Sequence, residues 1–163
     1  MLLAVTATIM CLSAQAQKFG YLNPSEIFNV MPDKVTAENT LKSVHEKYEA
    51  EYKNLLEDFQ KKYTDYQAAD QDSSTPQAIK DRHNSELQDM QMKIQNFEQT
   101  AAQDLQRQQE ALMAPITQKI QNAIQAVGAE GGYTFIFDTA AILFNGNDTE
   151  DVSAKVKAKL GIK

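Results

Sequence analysis

The feature that most constrains this chain is a single apolar stripe along a long and otherwise polar helical segment. Successive members of the stripe are 3, 4, 4, 3, 4, 4 and 3 residues apart. They are Leu41, Val44, Tyr48, Tyr52, Leu55, Phe59, Tyr63 and Tyr66. This eleven-residue repeat is close to the pitch of an unstrained α-helix, so the stripe stays on one face. A helix this long and polar cannot bury itself. It must pack against another helix, which favours a function based on surface rather than on bond-making chemistry.

The first sixteen residues predict a cleaved signal peptide. Residues 2–12 form a short apolar run, and Ala14-Gln15-Ala16 has the small-x-small pattern of a signal-peptidase site. No Lys or Arg precedes the run, so a buried N-terminal helix remains the alternative. A lipid anchor on Cys11 is disfavoured, because Met10 is too large for the position before a lipidated cysteine. Cleavage would leave 147 of the 163 residues, enough for one domain, with no cysteine for a disulfide or a thiolate metal site. The expected location is the bacterial periplasm.

Charge is concentrated in the middle of the chain. Between Glu38 and Ala114 we count nine Lys and Arg residues against fifteen Asp and Glu residues, which equals the whole net charge of −6. A basic footprint for nucleic acid is absent, and strong attraction to anionic lipid is not expected. We also expect no segment after the signal peptide to span a membrane.

The stripe lies in a predicted helix from Lys34 to Ala69, which ends at a polar turn. Residues 70–76 read Asp-Gln-Asp-Ser-Ser-Thr-Pro, a composition that ends helices. Pro76 suits the first turn of a second helix, with Thr75 as its cap. The stripe is expected to pack against apolar positions of this second helix, namely Met90, Ile94, Phe97 and Leu105. The sequence therefore predicts an antiparallel helical hairpin, a coiled-coil arm, with its tip near residues 70–76.

A small body is predicted from the two ends of the mature chain, residues 17–37 and 115–163, and the arm from residues 38–114. Pro115 removes one backbone donor and should bend the second helix, so we place the junction of arm and body there. The fold class is therefore α+β and mainly α, with the arm projecting from a small β body.

The body is predicted to contain three strands and two short helices. The strands are Phe19–Leu22, residues 133–137 and residues 142–144. Ser25 is expected to cap the first short helix. Asp151 is expected to cap the closing helix, and Gly161 to end it.

These strands are too few to form a closed core by themselves. A sheet of three short strands leaves edges unpaired and buries its aromatic residues poorly. Association of several copies around a shared core would correct this. The residues expected in that core are Phe19, Tyr21, Phe135, Phe137, Leu143 and Phe144.

The residues that could carry catalysis do not form a known constellation. His45-Glu46-Lys47-Tyr48-Glu49 begins like a metalloprotease helix, but Glu49 stands where the second histidine ligand is needed. Adjacent carboxylates such as Glu57-Asp58 and Glu150-Asp151 point in different directions on a helix, so they are interpreted as solvated faces or caps. Phosphate-binding glycine motifs are absent. The sequence predicts no enzyme, no metal, no cofactor and no use of ATP.

Taken together, this layout resembles the Skp/OmpH family of periplasmic chaperones. The N-terminal part of the resemblance is Phe19-Gly20-Tyr21-Leu22-Asn23 with Ile27-Phe28, and the hairpin follows. The C-terminal part is Ile116 to Val127, then residues 132–138, Leu143-Phe144 and Asp151-Val152-Ser153. These segments match the family's order of helix, strand, strand and closing helix.

The resemblance implies a homotrimer, in which three chains build a small β-barrel body and three helical arms surround a cavity. It also implies an ATP-independent holdase that keeps unfolded outer-membrane or periplasmic proteins in this cavity and prevents their aggregation. This sequence departs from the family in charge, because the better-known members have basic arm tips that are linked to anionic clients and lipopolysaccharide. Here the tip carries Asp70 and Asp72, so we carry over no lipopolysaccharide site.

Met92 is the one arm residue expected to contact a client directly. It lies about 200° around the helix from Met90 and therefore off the packing stripe. Methionine adapts to many shapes, although a single exposed methionine is also common without any function.

Two classes of function remain in view. The first is the holdase, which would bind unfolded chains broadly and release them once folded. The alternative is a non-enzymatic envelope scaffold or spacer, which would instead bind one folded partner.

Overall fold

The computed structural model describes residues 17–162, which form four α-helices, three β-strands and one 3-10 turn. In chain order these are β1 (Phe19–Leu22), α1 (Pro24–Asn29), α2 (Pro32–Gln71), α3 (Gln77–Gly131), β2 (Phe135–Asp138), the 3-10 turn (Thr139–Ala141), β3 (Thr149–Asp151) and α4 (Ser153–Lys159). The predicted class, α+β and mainly α with long helices, is confirmed. The signal-peptide prediction falls on residues 1–16, which lie outside the described residues.

The chain divides into two compact units. We call residues 28–119 the helical unit, and residues 17–27 with 120–162 the sheet unit. Helix α3 contributes to both, and it continues as a helix through Pro115. By the rise of an α-helix, α2 is about 60 Å long.

In the helical unit, α2 and α3 run antiparallel. The side chains that join them are Asp33 with Lys119, Tyr48 with Asp104, and Lys62 with Glu86; Lys80 also donates to the backbone oxygen of Asp70. Residue numbers rise along α2 as they fall along α3, which is the order of a hairpin. The antiparallel hairpin predicted from the stripe is therefore confirmed.

The stripe residues lie along this pairing but are buried to different degrees. Leu55 is buried, as are Leu87 and Ala101 on α3, whereas Tyr63 remains 39% exposed. The other predicted packing residues are half-buried: Leu41, Val44, Tyr48, Tyr52, Phe59, Tyr66, Met90, Ile94, Phe97 and Leu105. Two helices alone cannot surround large side chains, so most of these residues keep one side open to water.

Helix ends differ from the prediction in detail. Asn23, not Ser25, caps α1, because its side-chain oxygen accepts the backbone N–H groups of Ser25 and Glu26. Helix α2 begins two residues earlier than Lys34, at Pro32, whose fixed backbone angle suits a first turn.

The hairpin tip is organised by Asp72. Its carboxylate accepts the backbone N–H and the hydroxyl of Ser74, and the hydroxyl of Thr75. These bonds, led by the hydroxyl of Ser74, lower the pKa of Asp72. The prediction that Thr75 caps α3 was therefore wrong, because its hydroxyl is directed back to Asp72.

The sheet unit has a parallel sheet with strand order β2-β1-β3. Phe19 lies opposite Phe135 on one side and opposite Thr149 on the other. Gly20 and Leu22 alternate toward the buried face. The fully buried side chains of this unit are Leu22, Ile27, Val152 and Val156.

The third strand is not where the sequence placed it. Residues 142–144 form no strand; β3 is Thr149–Asp151 instead. Asp138 accepts the N–H of Ala140 and starts a 3-10 turn, which takes the chain away from the sheet before residue 142. The closing helix agrees with the prediction only in part. Val152, not Asp151, occupies its N-cap position, and the Asp151 carboxylate accepts the N–H of Ser153, the first helical residue. Gly161 ends the helix as predicted, with a positive φ of 73°.

We expect Ile27→Ala to destabilise the protein by about 2–5 kcal/mol, because Ile27 is fully buried and the substitution leaves a cavity. Urea unfolding followed by circular dichroism measures the change. Val35→Ala is the control, since Val35 is exposed on α2 and its loss should change stability by no more than roughly 0.5 kcal/mol. Equal midpoints for the two variants would contradict a core at Ile27.

Candidate functional site

One face of the sheet carries an aromatic cluster. Phe19 of β1 and Phe135 of β2 are stacked with ring centroids 6.4 Å apart, and Phe137 lies 5.8 Å from Phe135. These residues alternate with the buried face, so all three project to the same side. Phe135 is 58% exposed and Phe137 45% exposed. The cluster is therefore a large apolar surface that the single chain does not cover.

A hollow extends from this cluster beneath the segment that follows the 3-10 turn. It has a volume of about 450 Å³, and Phe19, Tyr21, Phe137, Ile142 and Phe144 are among its lining residues. Leu143 is fully exposed and Phe144 nearly so. The structure thus brings together five of the six residues that the sequence assigned to a shared core, and Leu143 lies directly beside them in the chain.

This open face is unusual for a parallel sheet, because parallel sheets are generally covered on both faces. Contiguous exposed apolar patches mark interaction surfaces. The aromatic face therefore has the chemistry of an interface rather than of a solvated surface.

A polar cluster around Tyr133 lies on the other face of the sheet, opposite the aromatic cluster. The Tyr133 hydroxyl donates to Glu150 at 2.6 Å, and the Lys18 ammonium lies 4.1 Å from the centre of the Tyr133 ring. Lys155 donates to both Tyr133 and Glu150. Two glycines make room for the ring, because a Cβ at Gly131 would collide with it and one at Gly20 would lie 3.2 Å away.

This cluster shifts the ionisation of its members. Hydrogen bonds from Lys155, Tyr133 and Lys18 lower the pKa of Glu150 to about 2. The same carboxylate raises the pKa of Lys155. The pKa of Lys18 is also raised, mainly by its hydrogen bond to Tyr133 and to a smaller extent by Glu150. Because Lys18 precedes β1 and Glu150 lies in β3, the cluster ties the two strands together.

The helical unit has an apolar groove between α2 and α3, of about 310 Å³. Helix α2 contributes His45, Tyr48, Glu49 and Tyr52, and α3 contributes Phe97, Glu98, Ala101, Ala102 and Leu105. Tyr48 and Phe97 meet edge to face across it, with ring centroids 5.9 Å apart. We call this the hairpin groove.

The polar groups of the hairpin groove are fixed by hydrogen bonds. Tyr48 donates to Asp104 at 2.7 Å, which raises the pKa of Tyr48. Asp104 also accepts from Arg107 and Gln108, and the three bonds lower its pKa to about 2. A hydrogen bond to Glu98 raises the pKa of Tyr52, so this phenol stays protonated well above neutral pH.

Met92 is 54% exposed, on the side of α3 away from the seam, as expected from its angle to Met90. Its exposed neighbours one turn away on the helix are Gln88, Asp89, Gln95 and Asn96. The surroundings of Met92 are therefore mostly uncharged amides, with one carboxylate. Whether Met92 contacts a client stays a prediction.

The described residues show none of the clusters that catalysis or metal binding requires. Within residues 17–162, no group of three or more His, Cys, Asp or Glu side chains is placed to hold a metal ion. His45 lies 3.2 Å from Glu49, its partner one turn later on an exposed face. A search of the same described residues finds no helix with the length and hydropathy of a membrane span.

Sequence reasoning missed two features of these sites. The Tyr133 cluster draws on Lys18, Glu150 and Lys155, which are far apart in sequence, and no pattern joins them. The hairpin groove had a detectable signal, since His45, Tyr48 and Tyr52 recur at helical spacing. The stripe contained its tyrosines but gave no sign that they border an open groove.

These features define a mainly helical protein whose candidate sites are apolar surfaces rather than a catalytic cluster. The sequence profile of the family described as "Outer membrane protein (OmpH-like)" matches residues 18–160. The chain therefore belongs to this OmpH-like family.

Relatives in this family are named chaperones. The chain is 30% identical over 150 residues to "Chaperone protein Skp" of Yersinia enterocolitica, covering 88% of this chain and 86% of that protein. It is 28% identical over 148 residues to the protein of the same name from Escherichia coli K12, covering 88% and 87%.

A solved structure shows the same fold. The crystal structure of a putative outer membrane chaperone (OmpH-like) from Caulobacter crescentus aligns with a TM-score of 0.73, over 88% of this chain and 82% of that chain. The two sequences are 13% identical in this alignment, so the likeness concerns the fold alone.

We expect the Tyr133 cluster to make stability depend on acid. Because the pKa of Glu150 is lowered in the folded protein, its ionised carboxylate stabilises the fold. This stabilisation is complete above the ordinary pKa of 4.5 and is lost as the pH falls through about 2. Glu150→Gln should therefore lower the melting temperature at neutral pH and reduce its decline between pH 5 and pH 2.

Differential scanning calorimetry across this pH range measures the effect. Asp148→Asn is the matched control, because Asp148 lies two residues earlier and makes none of the cluster's contacts. Acid profiles that coincide for the two variants would show that the cluster does not stabilise the sheet unit.

Proposed function

We propose that this protein is an ATP-independent holdase chaperone of the periplasm, which binds unfolded outer-membrane proteins and prevents their aggregation. The observation that carries the proposal is the amount of apolar surface that the chain leaves open in two separate units. Membership of a family whose relatives are named chaperones supports it. The proposed mechanism is binding without bond-making, so the protein is not an enzyme in this account.

The working form proposed here is a homotrimer. The open aromatic face of the sheet unit, with Leu143 and Phe144 exposed beside it, is the surface we assign to contacts between copies. Burying one large apolar side chain contributes roughly 1.5–3 kcal/mol, so several such residues per chain can offset the entropy cost of association. Three sheet units would then share one β-barrel core, and three hairpins would border a cavity.

Clients would be held in this cavity by many weak contacts. An unfolded β-barrel protein offers scattered apolar segments, and each contact with an arm is individually reversible. Several contacts around one cavity add through effective concentration, so retention can be strong while each contact exchanges quickly. Release then needs no nucleotide, because folding of the client removes its exposed segments.

Native mass spectrometry tests the assembly directly. We expect a species of three chains that takes up one urea-unfolded outer-membrane barrel protein after dilution from denaturant. Leu143→Ser combined with Phe144→Ser should shift the mass toward the monomer, since both side chains are exposed in the single chain and their loss should leave its fold intact.

The same experiment separates the alternatives. A monomer or dimer that ignores the unfolded barrel protein would contradict the proposal and favour a scaffold that binds a folded partner. Binding of the folded barrel protein in preference to the unfolded one would lead to the same conclusion.

Met92 provides a test on the arm. We expect Met92→Ser to weaken binding of an unfolded client by roughly 3- to 10-fold, since it removes part of one buried apolar side chain from the complex. The measurement is suppression of client aggregation, followed by light scattering at increasing chaperone concentration.

Gln91→Ser is the control for Met92→Ser, because Gln91 is exposed on the same helix but lies about 100° away. It should leave client binding unchanged. Unchanged binding by both variants would remove Met92 from the client surface.

A further inference from the structure

We propose that the hairpin groove selects apolar client segments that are flanked by Lys or Arg. This inference rests on the proposed function, because it assumes that the protein binds unfolded chains. It adds a preference for positively charged client segments to that function, and it assigns this preference, called the charge rule below, to residues of the hairpin groove.

The floor of the groove suits one apolar anchor. Tyr48, Tyr52 and Phe97 provide ring surface, while the small side chains of Ala101 and Ala102 keep the groove open. Ligand pockets are commonly about 300–1,000 Å³, and this groove of about 310 Å³ lies at the lower end. It therefore has room for one large side chain of an extended polypeptide.

The rim of the groove is acidic. Glu49 borders it on α2 and Glu98 on α3, and the lining contains no Lys or Arg. Among the residues that the structure describes, no lysine or arginine forms an ion pair with either carboxylate. Glu49 lies 3.2 Å from the imidazole of His45 on its own helix. Neither carboxylate is therefore neutralised by a lysine or arginine of the described residues, and each can accept a cation that a ligand brings.

The acidic rim lies directly beside the aromatic floor. Glu98 is close enough to the Tyr52 hydroxyl to raise the pKa of that phenol, and both residues line the groove. The third carboxylate nearby, Asp104, already accepts three hydrogen bonds and is not counted as a binding group.

A cation beside the anchor would gain two interactions in this geometry. It could pair with Glu49 or Glu98, and it could lie over the face of a tyrosine or phenylalanine ring. A carboxylate at the same place would face like charge. The acidic arm adds a field of the same sign over the whole hairpin, which favours the approach of cationic segments.

The test uses two labelled peptides with the same apolar residues. One has Lys on both sides of a Phe-Leu-Phe anchor, and the other has Glu at the same positions. Fluorescence anisotropy with the purified protein at low salt measures both affinities. Each exposed ion pair is worth roughly a 1.4- to 5-fold change, so two pairs predict a roughly 2- to 25-fold preference for the Lys peptide.

Paired variants locate the preference. Glu49→Gln with Glu98→Gln should bring the two affinities together, whereas Glu51→Gln with Glu110→Gln removes the same charge outside the groove and should retain most of the difference. Ala102→Lys places a cation at an exposed lining position and should turn the preference toward the Glu peptide. Far-ultraviolet circular dichroism confirms that each variant keeps its helices.

The results separate this inference from the proposed function. Equal binding of both peptides, or equal effects of the two double variants, would overturn the charge rule. If the protein still suppressed aggregation of the barrel protein, the proposed holdase activity would stand. Loss of binding to both peptides and to the unfolded barrel protein would overturn both. Raising the salt concentration should reduce the preference, since the rim charges are exposed.

Discussion

The pairing of α2 with α3 is the constraint on which the rest of this structure depends. Each helix is too polar to be stable through burial on its own, and most helical stability in proteins comes from packing of an apolar face. Only two helices share the seam, however, so most stripe residues remain half-buried. The same incomplete packing leaves ring surface of Tyr48, Tyr52 and Phe97 open in the hairpin groove. The side chains that join the two helices are therefore also the ones that line the groove.

The two faces of the sheet unit are also buried to different degrees. One face of the sheet rests on fully buried residues such as Leu22 and Val152, while the other presents the aromatic cluster to solvent. The Tyr133 cluster fastens β1 to β3 through exposed charges, so it can set the position of the strands without adding apolar burial. The strands of the sheet unit are therefore held in a defined arrangement, while one face of the sheet remains uncovered within the single chain.

The sequence predicted those parts of the fold that depend on local periodicity. The long helices, the turn near Asp72, the first two strands and the end of α4 at Gly161 all follow from spacing, capping or glycine chemistry. The third strand was misplaced because Ile142-Leu143-Phe144 has strand composition, yet the turn that Asp138 initiates and the pairing of β1 with β3 take the chain elsewhere. The Tyr133 cluster could not be predicted from the sequence, because only the tertiary fold brings its residues together. The helical spacing of His45, Tyr48 and Tyr52 placed one side of the hairpin groove on a common face, but the α3 side of the groove depends on how the two helices pair.

The topology of the sheet has a consequence for the order in which the protein can form. Its central strand, β1, is made first, but Phe19 pairs with Phe135, which is synthesised 116 residues later. The other neighbour, β3, follows later still. Contacts this distant in sequence form slowly, whereas a hairpin of adjacent helices can form as soon as both helices exist. The helical hairpin can therefore form before the strands of the sheet come together.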